Sequence, residues 1–399
     1  MSALLLTSGA AFALAWALVV AAIEPEAIRR ALTPRQSTLP RPTRARALVI
    51  RPCAGLEAEL DRTLVSFAEA RRSFEVRCRF ALENELDPAL PAAGRAVAAL
   101  DALGIDARVV LTSAAGPNRK AAQLAAVMAL EIEPFDVILV ADSDVDLAGI
   151  DLDALVAPLS IAHGPDAVWA PPSEHGVART TADRASAALL GASLHAFPLL
   201  AGLDSRGLVG KLFAVKRGAL AAIGGFDAFT AHLGEDMEIA RRLLARGGAI
   251  AVAPIVARSL ASGRSWDQAV SRFARWLGVI RAQRPLLLAS YPALFFATPA
   301  IIAIATITSP AAPGIALTAI LIAVVSRVAV ALAAARASGR PVGLGRAVVE
   351  SALADALLAA AFVRCLRTRR IVWRNSVLKI ERTGLIREET RARATAIPR

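Results

Sequence analysis

Residues 136–144 read DVILVADSD, an apolar run that ends in two aspartates separated by one serine. An uninterrupted apolar run of this length, Val137–Ala141, is typical of a strand that is buried on both faces. Asp142 and Asp144 follow directly after the predicted strand. In open α/β sheets, ligands bind beyond the carboxyl ends of the strands. This stretch therefore predicts the sheet and also the edge at which a site would lie.

Working outward, further strands and helices alternate on the amino-terminal side of this stretch. Short runs with strand character cover 47–52, 73–82 and 107–113, and helical stretches cover about 56–72, 94–104 and 118–129. Strands that alternate with helices at this spacing predict βαβ units and a mostly parallel sheet, hence an α/β domain. The loop ENELDP, residues 83–88, falls at the same edge of the predicted sheet as the two aspartates.

Both ends of the chain contain runs long enough for membrane helices. Residues 3–23 lack charge, and a signal peptide is the alternative, although no basic region precedes the run. The arginines that follow it predict, by the positive-inside rule, an external N-terminus. Two more such runs cover 286–307 and 316–335. A third apolar patch, 350–363, is predicted to be interfacial or re-entrant, because a further crossing would place the basic tail outside.

The net charge of +12 is concentrated near the C-terminus, and arginine supplies almost all of it. Residues 364–399 hold eleven Lys and Arg against three Glu. A basic segment beside apolar helices predicts contact with an anionic membrane surface. Nucleic acid is excluded as a partner, since neither zinc-finger spacing nor an aromatic RNA-binding motif accompanies the charge. The three cysteines form neither a disulfide framework nor a CxxC metal pair.

Three motifs could carry chemistry, and the first is the pair Asp142 and Asp144 itself. Their hard carboxylate oxygens suit Mg²⁺ or Mn²⁺, which bind few protein ligands and keep positions for substrate phosphates. Such a metal would neutralise the charge that grows on a leaving diphosphate.

The second motif is Glu235-Asp236, at the start of a predicted amphipathic helix that ends at Gly247. Carboxylates in the first helical turn are stabilised by the helix dipole, so a capping role is one interpretation. The other is a general base that removes a proton from an acceptor hydroxyl.

The third motif is the segment RFARW, which contains Arg272, Arg275 and Trp276. The two arginines share a helix face, and guanidinium groups suit diphosphate oxygens. An interfacial anchor is the alternative, because an apolar run begins about a dozen residues later.

The order of these motifs resembles that of a known family. DSD, then GGFDAF at 224–229, then ED, then RxxRW, flanked by apolar spans, is similar to the ceramide glucosyltransferases and related GT-A-fold, lipid-directed transferases. The resemblance covers most of residues 47–384. It implies an α/β GT-A domain for nucleotide-diphospho-sugar transfer, with N-terminal and C-terminal transmembrane helices.

The resemblance also implies roles for individual residues. Asp142 and Asp144 match the metal-binding motif, and Asp236 matches the catalytic base. The implied donor-binding residues are Pro52, Glu57, Glu83, Asn84, Lys120, Arg272 and Arg275. The implied acceptor or interface residues are Trp276, Glu235 and His195. One departure concerns the donor base, because Asn84 stands where the family has an aspartate.

The function expected on these grounds is inverting transfer of a sugar from a UDP-sugar to the hydroxyl of a membrane lipid such as ceramide. Glucose is the expected sugar. The alternatives are a hopanoid-directed N-acetylglucosaminyltransferase, a non-catalytic scaffold with a degenerate transferase domain, and a channel or transporter, for which the spans are too few. The expected location is a bacterial inner membrane, with a cytoplasmic catalytic domain. The predicted division is 1–25 transmembrane helix, 26–46 basic linker, 47–284 transferase domain, 285–364 membrane helices and 365–399 basic tail with a short strand pair.

Overall fold

The computed structural model describes residues 3–33, 45–113, 116–373, 376–381 and 384–391. The strands are β1 Arg46–Pro52, β2 Glu75–Leu82, β3 Asp106–Leu111, β4 Val137–Ala141, β5 Val145–Asp146, β6 Ala167–Trp169, β7 Pro172–Glu174, β8 Leu212–Lys216, β9 Ile250–Val252, β10 Ala257–Ser259, β11 Arg370–Trp373, β12 Ser376–Ile380 and β13 Ile386–Arg391. Most of the predicted basic linker, and the end of the basic tail, lie outside the described residues.

The helices are α1 Ala3–Leu32, α2 Leu60–Val65, α3 Leu90–Asp101, α4 Arg119–Leu130, α5 Asp153–Val156, α6 Thr181–Gly191, α7 Phe197–Leu203, α8 Arg217–Ala222, α9 Glu235–Ala245, α10 Trp266–Gln283, α11 Pro285–Ala289, α12 Tyr291–Leu294, α13 Ala297–Thr308, α14 Pro313–Ala337 and α15 Leu344–Arg367. Three 3₁₀ turns cover Ser66–Glu69, Ala157–Ser160 and Phe226–Phe229.

These elements form two compact units. The helical unit comprises Met1–Thr33, Thr180–Asp204 and Arg264–Arg367. The α/β unit comprises Pro34–Arg179, Ser205–Gly263 and Thr368–Arg399. The linear division of the chain given above stays a prediction.

A seven-stranded sheet organises the α/β unit, in the order β3-β2-β1-β4-β8-β6-β9. Strands β3, β2, β1 and β4 are parallel, whereas β8 runs antiparallel to both β4 and β6. Leu48, Val49 and Ile50 at the centre of β1 are fully buried, as expected for a strand that is covered on both faces. The mostly parallel α/β sheet predicted from the sequence is confirmed.

One predicted helix is shorter than expected. The stretch 56–72 is α-helical only from Leu60 to Val65 and continues as a 3₁₀ turn to Glu69. Arg71 forms a parallel bridge to Asp151, and its N–H donates to the carbonyl of Ile150 at 2.9 Å. Because this pairing requires extended backbone, the chain leaves the helix before the predicted end.

The antiparallel strand β8 brings a new segment to the ligand-binding edge of the sheet. Ala141, the last residue of β4, pairs with Leu212, the first residue of β8. The N–H of Asp142 then donates to the carbonyl of Lys211 at 2.9 Å. The residue before β8 therefore lies beside the residue after β4.

Three C-terminal strands, β11, β12 and β13, form a separate antiparallel sheet where a strand pair was expected. Its chain reaches the loop that precedes α9. The N–H of Ile386 donates to the carbonyl of Ala231 at 2.8 Å, and the N–H of Leu233 donates to the carbonyl of Gly384 at 3.3 Å. Between these bonds, His232 forms an antiparallel bridge with Leu385. The end of the described chain thus fixes residues 231–233.

Two helices of the helical unit, among the described residues, are individually long and apolar enough to cross a membrane: Leu4–Leu32 and Pro313–Ala337. Residues 286–307 are not one straight span, because the pair Pro285–Leu294 and Ala297–Thr308 is bent by 47°. Pro292 and Pro299 lie on either side of the bend, and proline interrupts the helical hydrogen-bond ladder. Helix α1 also continues to Leu32, past the expected end at residue 25.

Small side chains line the contacts among α1, α13 and α14. Ala13, Ala17, Ala305, Ala319 and Ala323 form part of one buried cluster there. Alanines allow helix backbones to approach closely, which is how helices associate when the solvent is as apolar as their side chains.

Candidate active site

A lysine ammonium lies between the two carboxylates of the DSD motif. Nζ of Lys211 lies 2.6 and 2.7 Å from the two carboxylate oxygens of Asp144 and 3.2 Å from Oδ2 of Asp142. The hydroxyl of Ser259 also donates to Oδ2 of Asp144 at 2.5 Å. The side chain of Asp144 is only 5% exposed, whereas that of Asp142 is 22% exposed. Asp142 therefore remains reachable from solvent.

A second lysine joins the two carboxylate motifs. Nζ of Lys120 lies 2.7 Å from Oδ1 of Asp142 and 3.4 Å from Oε1 of Glu235, and it donates to the carbonyl of Gly210 at 2.7 Å. Burial lowers the pKa of Lys120, but the charges of Asp142 and Glu235 outweigh that effect and raise the pKa above its ordinary value. Lys120 is therefore charged, and it connects the DSD and ED motifs in one site.

The cap of α4 fixes the position of Glu235. The side chain of Asn118 accepts a hydrogen bond from the N–H of Ala121, which caps the helix, and its amide donates to Oε2 of Glu235 at 2.9 Å. The same amide donates to the carbonyl of His232 at 2.7 Å. One capping residue thus holds both α4 and the loop before α9.

Asp236 is held by backbone N–H groups. Its Oδ2 accepts from the N–H of Gly210 at 2.8 Å, and its Oδ1 accepts from the N–H of Met237 at 2.8 Å. Burial and the adjacent Glu235 charge raise the pKa of Asp236 to about 6, although Lys120 and the backbone N–H groups oppose them. A carboxylate with this pKa is ionised at neutral pH and is also a stronger base than an ordinary aspartate.

Gly210 leaves room for the close approach of these groups. A Cβ added at this position would lie 3.0 Å from Nζ of Lys120 and 3.2 Å from Oδ2 of Asp236. A side chain here would therefore require Lys120 and Asp236 to shift by a few tenths of an ångström.

A buried arginine holds the backbone of the DSD loop. Arg51 is fully buried, and its guanidinium donates to the carbonyls of Asp142 at 3.0 Å and Val145 at 2.7 Å, and also to that of Thr63. Here the fork of donors on arginine holds several carbonyls of the loop at once.

Glu57, predicted to contact the donor, lies beside the same loop. The hydroxyl of Ser143 donates to Oε2 of Glu57 at 2.7 Å. Burial and the charge of Asp144 raise the pKa of Glu57. Pro52 is buried at the end of β1, the strand that leads toward Glu57.

The ENELDP loop uses its polar side chains to hold its own shape. Asn84 is exposed and accepts from the N–H of Leu86 at 2.9 Å. Glu83 forms an ion pair with Arg119. Asp87 accepts from the N–H of Gly55 at 2.8 Å, which ties this loop to the one after β1. Donor contacts by Glu83 and Asn84 stay a prediction.

The remaining predicted residues belong to the helical unit. The guanidinium carbon of Arg272 lies 4.8 Å from the centroid of the Trp276 ring, and the side chain donates to the hydroxyl of Ser186 at 3.3 Å. Arg275 lies on the same helix, α10. His195 is buried, and its Nε2 lies 3.2 Å from the hydroxyl oxygen of Tyr291. Burial lowers the pKa of His195 to about 4, so its ring is neutral at physiological pH. The predicted roles of these residues stay predictions.

Lys211, Gly210 and Ser259 are residues of this site that were not predicted from the sequence. A usable signal was present for Lys211, since the chain has only four lysines, of which two lie at this site. Gly210 and Ser259 gave no such signal, because their roles depend on the antiparallel strand β8 and on β10.

The donor set at this edge fits Mg²⁺ or Mn²⁺ under one condition. Across the described ranges, no group of three or more His, Cys, Asp or Glu residues is placed to hold a metal ion. Asp142 and Asp144 offer hard oxygens that already converge on one cation, and Asp142 is open to solvent. Two carboxylates suffice for these metals when substrate phosphates and water complete the shell. The site therefore fits such a metal when ligands from outside the protein complete its shell.

The fold and the converging motifs define a class of enzyme that comparison with known proteins confirms. The model of the family described as "Glycosyl transferase family 21" matches residues 9–386. The chain belongs to this family and is a glycosyltransferase, as the resemblance in the sequence predicted. The predicted α/β GT-A fold class with apolar helices at both ends is confirmed as well.

Solved structures with similar folds include other sugar transferases. A mannosyltransferase from Pyrobaculum calidifontis, determined with GDP-Man and Mn²⁺, is 17% identical and has a TM-score of 0.44, covering 89% of this chain and 99% of its own. Glucosyl-3-phosphoglycerate synthase from Mycobacterium tuberculosis, determined with Mn²⁺, UDP and glucosyl-3-phosphoglycerate, is 19% identical and has a TM-score of 0.37, covering 58% of this chain and 79% of its own. The comparison with curated proteins gives no match.

Proposed function

We propose that this glycosyltransferase moves a sugar, with glucose as the expected one, from a UDP-sugar to the hydroxyl of a membrane lipid such as ceramide. The transfer inverts the configuration at the anomeric carbon. The observation that carries the proposal is the position of Lys120, which lies 2.7 Å from Asp142 and 3.4 Å from Glu235. Asp236 joins the same cluster through Gly210, whose carbonyl accepts from Lys120 and whose N–H donates to Asp236 at 2.8 Å. The carboxylates predicted to hold a metal and the carboxylate predicted to act as base therefore share one cluster, at the carboxyl ends of the parallel strands. Family membership and the apolar helices support transfer to a lipid.

In the proposed reaction, Asp236 accepts the proton of the acceptor hydroxyl. The acceptor oxygen forms a bond to the anomeric carbon as the bond from that carbon to the diphosphate oxygen breaks. The electron pair of the broken bond leaves with UDP. Because attack comes from the opposite face, the configuration inverts and one carboxylate is sufficient. Lys120 is a fixed positive charge between the base and the donor side of the site.

Asp142 and Asp144 would hold Mg²⁺ or Mn²⁺ in this proposal. The bound metal would supply neutralisation of the charge on the leaving diphosphate. Glu57 and Pro52, at the end of β1, and Glu83 and Asn84, after β2, are assigned to the donor nucleotide.

Residues of the helical unit complete the proposed assignment. Arg272 and Arg275 are proposed to bind diphosphate oxygens, because guanidinium suits that geometry. Trp276 and His195 are assigned to the acceptor or to the membrane interface. The protein is proposed to be a multi-pass protein of a bacterial inner membrane, with the α/β unit on the cytoplasmic side beside an anionic surface.

The test is a product assay. Purified full-length protein in nanodiscs is incubated with Mn²⁺ and a panel of UDP-sugars, using ceramide or a hopanoid polyol as acceptor, and products are identified by mass spectrometry. We expect a hexosylceramide from UDP-glucose. A glycosylated hopanoid alone would instead establish the hopanoid-directed alternative. Absence of any lipid product, together with absence of UDP release, would overturn the proposal.

A matched pair of variants makes the assay specific. Asp236→Asn removes the proposed base, whereas Asp61→Asn removes a carboxylate of the exposed pair with Arg95, in which both side chains are more than half exposed. Exposed pairs of this kind contribute little to stability. Only Asp236→Asn should lower the rate of product formation, by about 10²–10⁴-fold.

A further inference from the structure

Lys211 contacts the same oxygen atoms that the proposed metal would use. Its ammonium lies 2.6 and 2.7 Å from the two oxygens of Asp144 and 3.2 Å from Oδ2 of Asp142. The ammonium therefore touches three of the four carboxylate oxygens of the DSD motif. The backbone of Lys211 is fixed as well, since its carbonyl accepts from the N–H of Asp142 at 2.9 Å.

A metal ion and this ammonium exclude each other. Mg²⁺ and Mn²⁺ bind carboxylate oxygens at about 2.0–2.2 Å, closer than the ammonium contacts, so both cations cannot lie among the same three oxygens. Two positive groups at such a separation would also repel each other in a site with little solvent screening. The side chain of Asp144 is 5% exposed, so screening by solvent is weak there.

The other lysine of the site is bound differently. Lys120 divides its contacts among Asp142, Glu235 and the carbonyl of Gly210. It touches only Oδ1 of Asp142 in the DSD motif, and it keeps two further partners if that contact is lost. Lys211 is therefore the lysine that a metal must displace.

We propose that Lys211 is an internal counter-ion that competes with the divalent metal for Asp142 and Asp144 and keeps metal affinity low until a nucleoside diphosphate binds. The diphosphate offers the displaced ammonium a new anionic partner, so metal and nucleotide strengthen each other's binding. This inference rests on the proposed function, because it takes the donor to be a nucleoside diphosphate sugar. It adds Lys211 as a residue that sets the order in which metal and donor enter.

The experiment measures binding of Mn²⁺ to the full-length protein in nanodiscs, from the electron paramagnetic resonance signal of free Mn²⁺, without nucleotide and with UDP. The variant Lys211→Met removes the competing charge. The control Lys216→Met removes the same charge at the other end of β8, where Lys216 lies 3.7 Å from Asp166. Asp144→Asn tests whether the measured Mn²⁺ occupies the DSD site.

We expect Lys211→Met to bind Mn²⁺ at least about tenfold more tightly than the unaltered protein without nucleotide, because a buried like charge has been removed. The gain in Mn²⁺ affinity on addition of UDP should shrink in the same variant, since less competition remains to be relieved. Lys216→Met should match the unaltered protein in both measurements. If Lys211→Met does not fold, Lys211→Gln keeps a hydrogen-bond donor, removes only the charge and should show the same gain.

Equal or weaker Mn²⁺ binding by a folded Lys211 variant, or no binding by either protein without nucleotide, overturns the inference. Loss of Mn²⁺ binding in Asp144→Asn, with no gain in the Lys211 variants, removes only the counter-ion and leaves the proposed metal site intact. Unchanged Mn²⁺ binding in Asp144→Asn would instead remove the metal site from the proposed function.

Discussion

The two carboxylate motifs of the site lie within reach of one lysine, yet they have different surroundings. Asp142 and Asp144 face ammonium groups at 2.6–3.2 Å. Asp236 instead accepts from two backbone N–H groups beside the like charge of Glu235, and its pKa is raised to about 6. In the proposed function, the first motif binds a cation and the second exchanges a proton.

This difference shows how one sheet edge can support two kinds of chemistry. Carboxylates that attract ammonium groups also attract metal ions, which suits a motif that is proposed to bind a cation. Backbone N–H groups orient a carboxylate with less charge compensation, so burial can raise its pKa toward neutrality. Lys120 separates the two environments, since it contacts Asp142 on one side and Glu235 on the other.

The largest expected effect tests the proton-exchanging motif. Asp236→Asn should lower kcat by about 10²–10⁴-fold, the usual contribution of a positioned base. The measurement is kcat for lipid glycosylation, with circular dichroism to establish folding. A folded Asp236→Asn variant with near-normal kcat would show that the two motifs do not differ in the way described.

The pH profile of the unaltered enzyme tests the same motif without a substitution. The base must be ionised, so activity should be lost as pH falls through about 6, the pKa of Asp236. Below that value the decline should approach about tenfold per pH unit, as for a single essential ionisation. A plateau in kcat/KM down to pH 5 would contradict the assignment.

Lys120→Met should shift the acidic limb of the pH profile, the range in which activity falls with falling pH, toward higher pH. Lys120 lowers the pKa of Asp236, so its removal should raise the pKa and shift the limb to higher pH by about one unit. The comparison is the full pH profile, because loss of donor binding alone would lower activity without moving the limb.

Glu235→Gln should move the limb the opposite way, by up to about one unit, because the Glu235 charge raises the pKa of Asp236. The amide can still accept from Asn118, which bonds Oε2 of Glu235 at 2.9 Å. Shifts of the same sign in Lys120→Met and Glu235→Gln would refute the electrostatic account of the pair.

The smallest expected effect concerns the support of residues 231–233, the loop that precedes α9 and Asp236. Ile386→Pro removes the N–H that donates to the carbonyl of Ala231, and should lower kcat by about threefold to tenfold relative to Ile386→Ala, since one backbone hydrogen bond contributes about 1 kcal/mol. Ile386→Ala is the matched control, because it also loses the buried side chain but keeps the N–H. Equal kcat values in the two variants would show that this bond does not position the base.

Much of this architecture could be predicted because it depends on local pattern. The apolar run before Asp142 and its alternation with helices predicted the parallel strands, and the positions of DSD and ED predicted two acidic motifs. The place of Lys211 could not be predicted, because it depends on β8 running antiparallel beside β4. Likewise, the bend in residues 285–308 depends on where two prolines interrupt one apolar run.

The pairing of Leu385 with His232 has a consequence for how the enzyme is made. Residues 384–386 come after α15, the last helix of the helical unit, in chain order. During translation, the ribosome therefore delivers the strand that holds residues 231–233 only after helices α1 to α15 have been synthesised. A nascent chain that ends at α15 lacks this support, so we expect it to transfer sugar less well than a chain that has reached residue 386.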